Sequence, residues 1–155
     1  RLPQLKAWMD GREADLMANG QELTSPFGNK RRFPLIVDRS HRRECARLAV
    51  NFPVMASVNY LTALAHIRVV KRLRAKGIKT YVYPHVHDSL NVCVPENRVD
   101  EAIPIIADIM SNVPLYIGID DVPFPVEITG GKRWGTQTLL YDGGKPNEVR
   151  GRTFR

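Results

Sequence analysis

The stretch Tyr81-Val82-Tyr83-Pro84-His85-Val86-His87-Asp88-Ser89-Leu90-Asn91-Val92-Cys93-Val94-Pro95 decides how the rest of the chain is read. Apolar, β-prone residues lead into the pair His87-Asp88 and lead out of it again. This is the pattern of a β-hairpin with a carboxylate at its tip. A bare carboxylate on a rigid hairpin suits a hard cation such as magnesium, which takes oxygen ligands and keeps several of its waters. Asp is also a common turn residue, and from these residues alone a plain hairpin is the simpler reading. Pro84 has no N–H to give to a ladder, which marks the incoming strand as edge-like or bulged there.

Upstream, Val54, Val58, Leu61, Ala65, Val69 and Leu73 recur every three to four residues, which predicts a long helix over about 54–75. Lys71, Arg72, Arg74 and Lys76 load its last turns with charge that suits the helix dipole, and Gly77 ends it. His66 on this helix reads as a packing or surface histidine. A short helix capped by Ser40 precedes it, and Asn51-Phe52-Pro53 predicts a break between the two, because the residue before a proline is pushed out of the helical region. Further back, Glu22-Leu23-Thr24 and Arg32-Phe33-Pro34 form a small hairpin carrying the basic triplet Lys30-Arg31-Arg32. A first helix covers about 2–19, with Gly11 as a weak point within it.

Downstream, a helix over about 98–111 carries Pro104, which should kink it or shift its start. Asp120-Asp121 lie in a loop and read as solvent-facing. A last strand follows at Pro125-Val126-Glu127-Ile128-Thr129, and the composition from about Tyr141 to Arg155 reads as a flexible or partner-bound tail. The fold class is α+β: a thin antiparallel sheet, the hairpin plus the closing strand, backed by helices.

The 155 residues fit one domain or a piece of a larger one. Hydrophobic residues at 43% and charged residues at 25% exclude a disordered chain. Cys45 and Cys93 lack the spacing of a zinc site or a disulfide framework, which points to a reducing compartment. No apolar run is long enough for a bilayer and no signal peptide opens the chain, so no membrane partner is expected. The start reads as a cut or processed end. A formal charge of +7 favours a polyanionic partner, nucleic acid first.

Several ordered segments resemble the C-terminal palm portion of the family A DNA polymerases, the DNA polymerase I type. Val86-His87-Asp88-Ser89 is similar to the family's motif C, usually Val-His-Asp-Glu. Arg47-Leu48-Ala49-Val50-Asn51-Phe52-Pro53-Val54-Met55-Ala56-Ser57 resembles its Arg-x-x-x-Asn-x-Pro-x-Gln-Gly-Ser/Thr stretch. Gly28-Asn29-Lys30-Arg31-Arg32-Phe33-Pro34 resembles the Gly-Arg-Arg-x-x-x-Pro segment before it. Val126-Glu127-Ile128-Thr129-Gly130-Gly131-Lys132-Arg133-Trp134 resembles its closing strand and Gly-x-x-Trp. Together these cover about residues 1–138.

The resemblance implies a partial polymerase palm, with Asp88 as one of two palm aspartates holding a pair of magnesium ions for nucleotidyl transfer. It implies His87 beside the primer terminus, Arg47 and Asn51 on primer–template DNA, and Lys30, Arg31 and Arg32 as further phosphate contacts. It divides the chain into a helix and basic hairpin at the fingers–palm junction (1–53), a palm subdomain (54–138) and a tail (139–155). It also implies deoxynucleoside triphosphates as substrates, a cytoplasmic setting in a bacterial or phage-infected cell, and a role in replication or repair.

Ser89 stands where Glu is usual, Met55 where Gln is, Ala56 where Gly is, and Asn59-Tyr60 where Ala-Asp is. The family's motif A, with the second aspartate, and motif B, the triphosphate-binding helix, are not among these residues. A single carboxylate cannot clamp two metals about 3.5–4 Å apart. The expectation is therefore one piece of a split polymerase, inactive alone and completed by a second chain carrying motifs A and B. The alternatives are a catalytically inactive, polymerase-derived nucleic-acid-binding module and a fragment of a single-subunit RNA polymerase.

Overall fold

The computed structural model describes residues 2–34, 36, 38–120 and 122–143. The chain forms two compact units, 1–60 and 61–155.

In the first unit, helix α1 spans Pro3–Ala18, with proline in its first turn, where a missing N–H costs nothing. Strands β1 (Glu22–Thr24) and β2 (Lys30–Arg32) form an antiparallel hairpin in which Glu22 faces Arg32 and Thr24 faces Lys30. The second strand is therefore the basic triplet itself, rather than Arg32-Phe33-Pro34. Asn29 returns its N–H to Ser25 Oγ at 3.1 Å and the Ser25 N–H donates to Asn29 O at 2.7 Å, closing the loop between them. The core of this unit is Leu16, Leu23, Phe33, Cys45 and Ala49, with Ile36, Leu48 and Phe52 packed against it.

Helix α2 runs from Arg39 to Ala75 without interruption and carries Pro53 inside it. The expected break at Asn51-Phe52-Pro53 is corrected: one helix replaces two. Proline removes only one intrahelical bond, and the turns before it are held by burial of Cys45 and Ala49 and packing of Leu48 and Phe52. The Ser57 hydroxyl donates back to Pro53 O, one turn earlier in the helix, at 2.7 Å. Of the predicted apolar stripe, Ala65, Val69 and Leu73 are fully buried, while Val54 is half-exposed. By length and composition α2 is the one helix among the described residues that could cross a membrane. A core helix meets the same criterion, and α2 gives Ala49, Ala65, Val69 and Leu73 to protein cores.

In the second unit, Gly77 adopts a left-handed φ of 70° after α2, and Ile78 N–H reaches back to Leu73 O at 2.9 Å. Strands β3 (Tyr81–Val82) and β4 (Val92–Cys93) form the central hairpin, with Tyr81 opposite Cys93 and Val82 opposite Val92. A 3₁₀ turn at Glu96–Arg98 leads into α3 (Val99–Asn112), which passes through Pro104 as a continuous helix. The core here is Val69, Leu73, Ile78, Ala102 and Ile109, flanked by Leu90, Val92, Val94, Ile105 and Ile106.

Mixed helices and small antiparallel sheets make the α+β class. However, the closing strand β5 (Glu127–Gly130) does not join the central hairpin: it pairs with β6 (Thr138–Asp142), giving three separate two-stranded sheets among the described residues. Residues 139–142 are accordingly strand and not tail, with Leu140 buried. The remainder of the expected tail, from 144 onward, and Asp121 lie outside the described residues.

Candidate functional site

The turn that carries Asp88 is closed by two backbone bonds between the same residues. Val86 N–H donates to Ser89 O at 3.1 Å, and Ser89 N–H donates to Val86 O at 2.9 Å. His87 and Asp88 are thus the two central residues of a two-residue hairpin loop. Such loops need a positive φ at the first position, usually supplied by glycine. Here His87 takes it, at φ 55°, and the conformation costs a non-glycine residue about 1–3 kcal/mol. The Val86–Ser89 bonds that close the turn place the next side chain, Asp88, at the apex, where it is exposed. Among the described residues no ion pair engages it.

The hydroxyl of Ser89, which stands where the motif has a carboxylate, donates to Val86 O at 2.8 Å. It is spent inside the turn, so the apex offers one hard ligand, Asp88. Among the described residues no three His, Cys, Asp or Glu side chains gather to hold a metal. The hairpin stem is fixed by Tyr83 N–H to Asn91 O at 3.2 Å and by Thr80 Oγ1–H to Cys93 O at 3.2 Å. Two residues before the tip pair, the ring of His85 meets His66 of α2 edge-on, centroids 6.3 Å apart. Burial, reinforced by the positive potential of His85, holds the His66 pKa below its ordinary 6.5.

The basic triplet lies in the first unit and does not act as one patch. Glu22, opposite on β1, binds Lys30 Nζ at 3.0 Å and Arg32 Nε at 2.9 Å. The hydrogen bond from Arg32, then those and the charge of Lys30, hold the Glu22 carboxyl below its ordinary 4.5. Arg31 points to the other face of the two-residue period and lies over the Phe33 ring at 5.1 Å. Glu22 is the residue that reading the sequence overlooked; the cross-strand register alone would have exposed it.

Arg47 and Asn51 sit one turn apart on α2, and both are exposed. Val54 and Met55 continue the same exposed surface, so the thioether that replaces the usual Gln is presented to solvent and cannot make an amide's hydrogen bonds. Tyr60, another departure, stacks on Phe27 of the β1–β2 loop, rings parallel at 4.3 Å. His87 and Asp88 belong to the second unit and the five basic and polar candidates to the first.

A sequence description of DNA polymerase family A matches residues 1–136. The chain is 32% identical over 136 residues to a thermostable DNA polymerase I of Thermus filiformis, covering 86% of this chain and 15% of that one. It is 31% identical to the DNA polymerase I of Chloroflexus aurantiacus over 76% of its length and 12% of that protein. It is 27% identical to a DNA polymerase of Bacillus phage SP01 over 87% of its length and 15% of that protein. Among solved structures, the POL domain of Pol1 from M. smegmatis, in complex with DNA primer-template and dNTP, superposes with a TM-score of 0.64. That likeness, at 22% identity, covers 76% of this chain and 20% of that one, and it concerns the fold. The chain thus spans 12–15% of the length of these curated relatives. With the family's segments matched in order over 136 of 155 residues, the chain belongs to DNA polymerase family A.

Proposed function

We propose that the chain supplies the motif C aspartate of a DNA-directed DNA polymerase, acting on primer–template DNA and deoxynucleoside triphosphates. The observation that carries this reading is Asp88: an exposed carboxylate, without an ion pair among the described residues, at the apex of a strained two-residue turn in a chain of this family. Such a carboxylate fits one oxygen-ligand position of magnesium, an ion that takes one or two protein carboxylates and keeps waters. When bound, the metal stabilises charge on attacking and leaving oxygens of phosphoryl transfer. What this chain's residues do is hold: the Val86–Ser89 pair fixes the tip, and His87 orients beside the primer terminus. Arg47 and Asn51 bear on the duplex, and Lys30, Arg31 and Arg32 on phosphates.

The second carboxylate and the triphosphate-binding helix come from polypeptide outside these 155 residues. On this reading they lie on a second chain that carries motifs A and B, in a cytoplasmic heteromer. Residues 54–138 would form the palm portion and 1–53 its junction with the fingers. The test mixes the purified chain with a polypeptide carrying motifs A and B and follows magnesium-dependent primer extension. Extension by the mixture, with neither part active alone, is expected; inactivity of every such mixture contradicts the reading.

The bonded Ser89 hydroxyl and exposed Met55 favour a second reading, a catalytically inactive DNA-binding module. It predicts salt-sensitive DNA binding by the chain and no extension in any mixture. The family match leaves the single-subunit RNA polymerase alternative without support.

A further inference from the structure

Arg39, Arg43, Arg47 and Asn51 follow one another at four-residue intervals along α2, and all four are exposed. Residues four apart are neighbours on a helix surface, so these side chains form a continuous ladder over about 18 Å at 1.5 Å per residue. The two lower rungs are those the family resemblance singles out. The two upper rungs are arginines that nothing in that resemblance assigns.

At the upper end the ladder enters a groove of about 710 Å³ between α1 and the start of α2, lined by Arg39 and Arg43 and floored by Met17, Ile36 and Ala46. Neither Arg39 nor Arg43 has an acidic partner among the described residues. The acids that border the groove are engaged elsewhere. Glu13 holds Arg42 at 2.9 Å. Asp38 accepts from the Ser40 and His41 N–H groups at 2.8 and 2.9 Å, and from the ring of His41 at 2.9 Å. The result is a shallow trough with an apolar floor and two uncompensated guanidiniums, in line with a polar face already suited to DNA. Phosphates and sugars of a DNA strand have this combination of anionic oxygens and apolar edges, and guanidinium forks match phosphate geometry.

We propose that the groove is a second DNA-backbone site, in which Arg39 and Arg43 each bind a phosphate of the primer–template and extend the contact made by Arg47 and Asn51. This rests on the polymerase reading above.

The test is fluorescence anisotropy of a labelled primer–template with the full chain, from about 50 to 200 mM salt, where each phosphate contact adds about 0.9 to the slope of log affinity against log salt. The Arg39→Ala/Arg43→Ala double variant should flatten that slope by about 1.8 and weaken low-salt binding at least tenfold, while Arg39→Lys/Arg43→Lys should keep the wild-type slope. Far-ultraviolet circular dichroism of both variants checks that the helices persist. A folded alanine variant with the wild-type slope overturns the proposal, as does equal flattening in the lysine variant. If the slope changes in Arg47→Ala but not in Arg39→Ala/Arg43→Ala, only the second site falls. If the wild-type chain shows no salt-dependent binding, the second site is overturned, while the polymerase reading is decided separately by primer extension in the mixture.

Discussion

His66 reports on the tip of the central hairpin because its ring touches His85, two residues before His87. Burial first, and the nearby His85 second, disfavour its charged form. Its folded pKa therefore lies below the 6.5 of the unfolded chain, and the unfolded state binds the proton more readily. Its contribution to stability is full above 6.5 and declines as pH falls from there through the folded pKa. An NMR titration of the imidazole should give a midpoint below 6.5, and His85→Ala should raise it; a midpoint at or above 6.5 would contradict the packing described. Glu22 behaves with the opposite chemistry. Arg32 and Lys30 favour its carboxylate, so its contribution is present above 4.5 and is lost as pH falls through the lower, folded value. Glu22→Gln should remove this acid-side dependence, read as amide-exchange protection of β1–β2 between pH 3 and 5, about the range where an ordinary Glu titrates. A variant with the wild-type profile would count against the clamp. Of these residue-scale features, the position of His87-Asp88 at a hairpin tip was readable from the apolar runs on either side. The Glu22 clamp was not, because it depends on which residue of β1 faces which residue of β2.

At the scale of elements, glycine and proline explain most of what the sequence could and could not foretell. Gly77 ends α2 as expected, since it takes the left-handed φ that closes the helix. Pro53 does not break the helix, since the local rule for the preceding residue is overridden by burial of Cys45 and Ala49 and packing of Phe52 against them. The strand β6 was hidden because Gly, Pro and Arg dominate the composition around it, while its stability comes from a non-local pairing with β5. That pairing also explains Gly130 and Gly131. A Cβ on Gly130 would run into the tip of the Leu140 side chain, whereas one on Gly131 would meet the backbone oxygen of Thr136 at 2.9 Å. Backbone cannot yield as a side chain does. Gly131→Ala should therefore destabilise the chain by about 1–3 kcal/mol, read as a lower thermal midpoint, and more than Gly130→Ala. Equal midpoints for Gly131→Ala and wild type would contradict the β5–β6 geometry.

At the scale of the molecule, the two units divide the candidate chemistry between them. The first carries the cationic and polar residues suited to DNA, and the second carries the carboxylate suited to a metal. Composition is what pointed to the first half, since a +7 chain is drawn to polyanions. Counting carboxylates is what motivates the proposal that a further acid completes the second half. Among the described residues no three metal-ligating side chains gather, the Ser89 hydroxyl is bonded within the turn, and a two-metal centre needs more than one acid. The most direct test of this account compares magnesium-dependent primer extension by the complemented polymerase containing wild-type chain or Asp88→Asn. Asparagine keeps the shape of the turn and removes only the charge. The account predicts a loss of about 10²–10³-fold or more in rate with DNA binding retained. Extension by Asp88→Asn at the wild-type rate would contradict it.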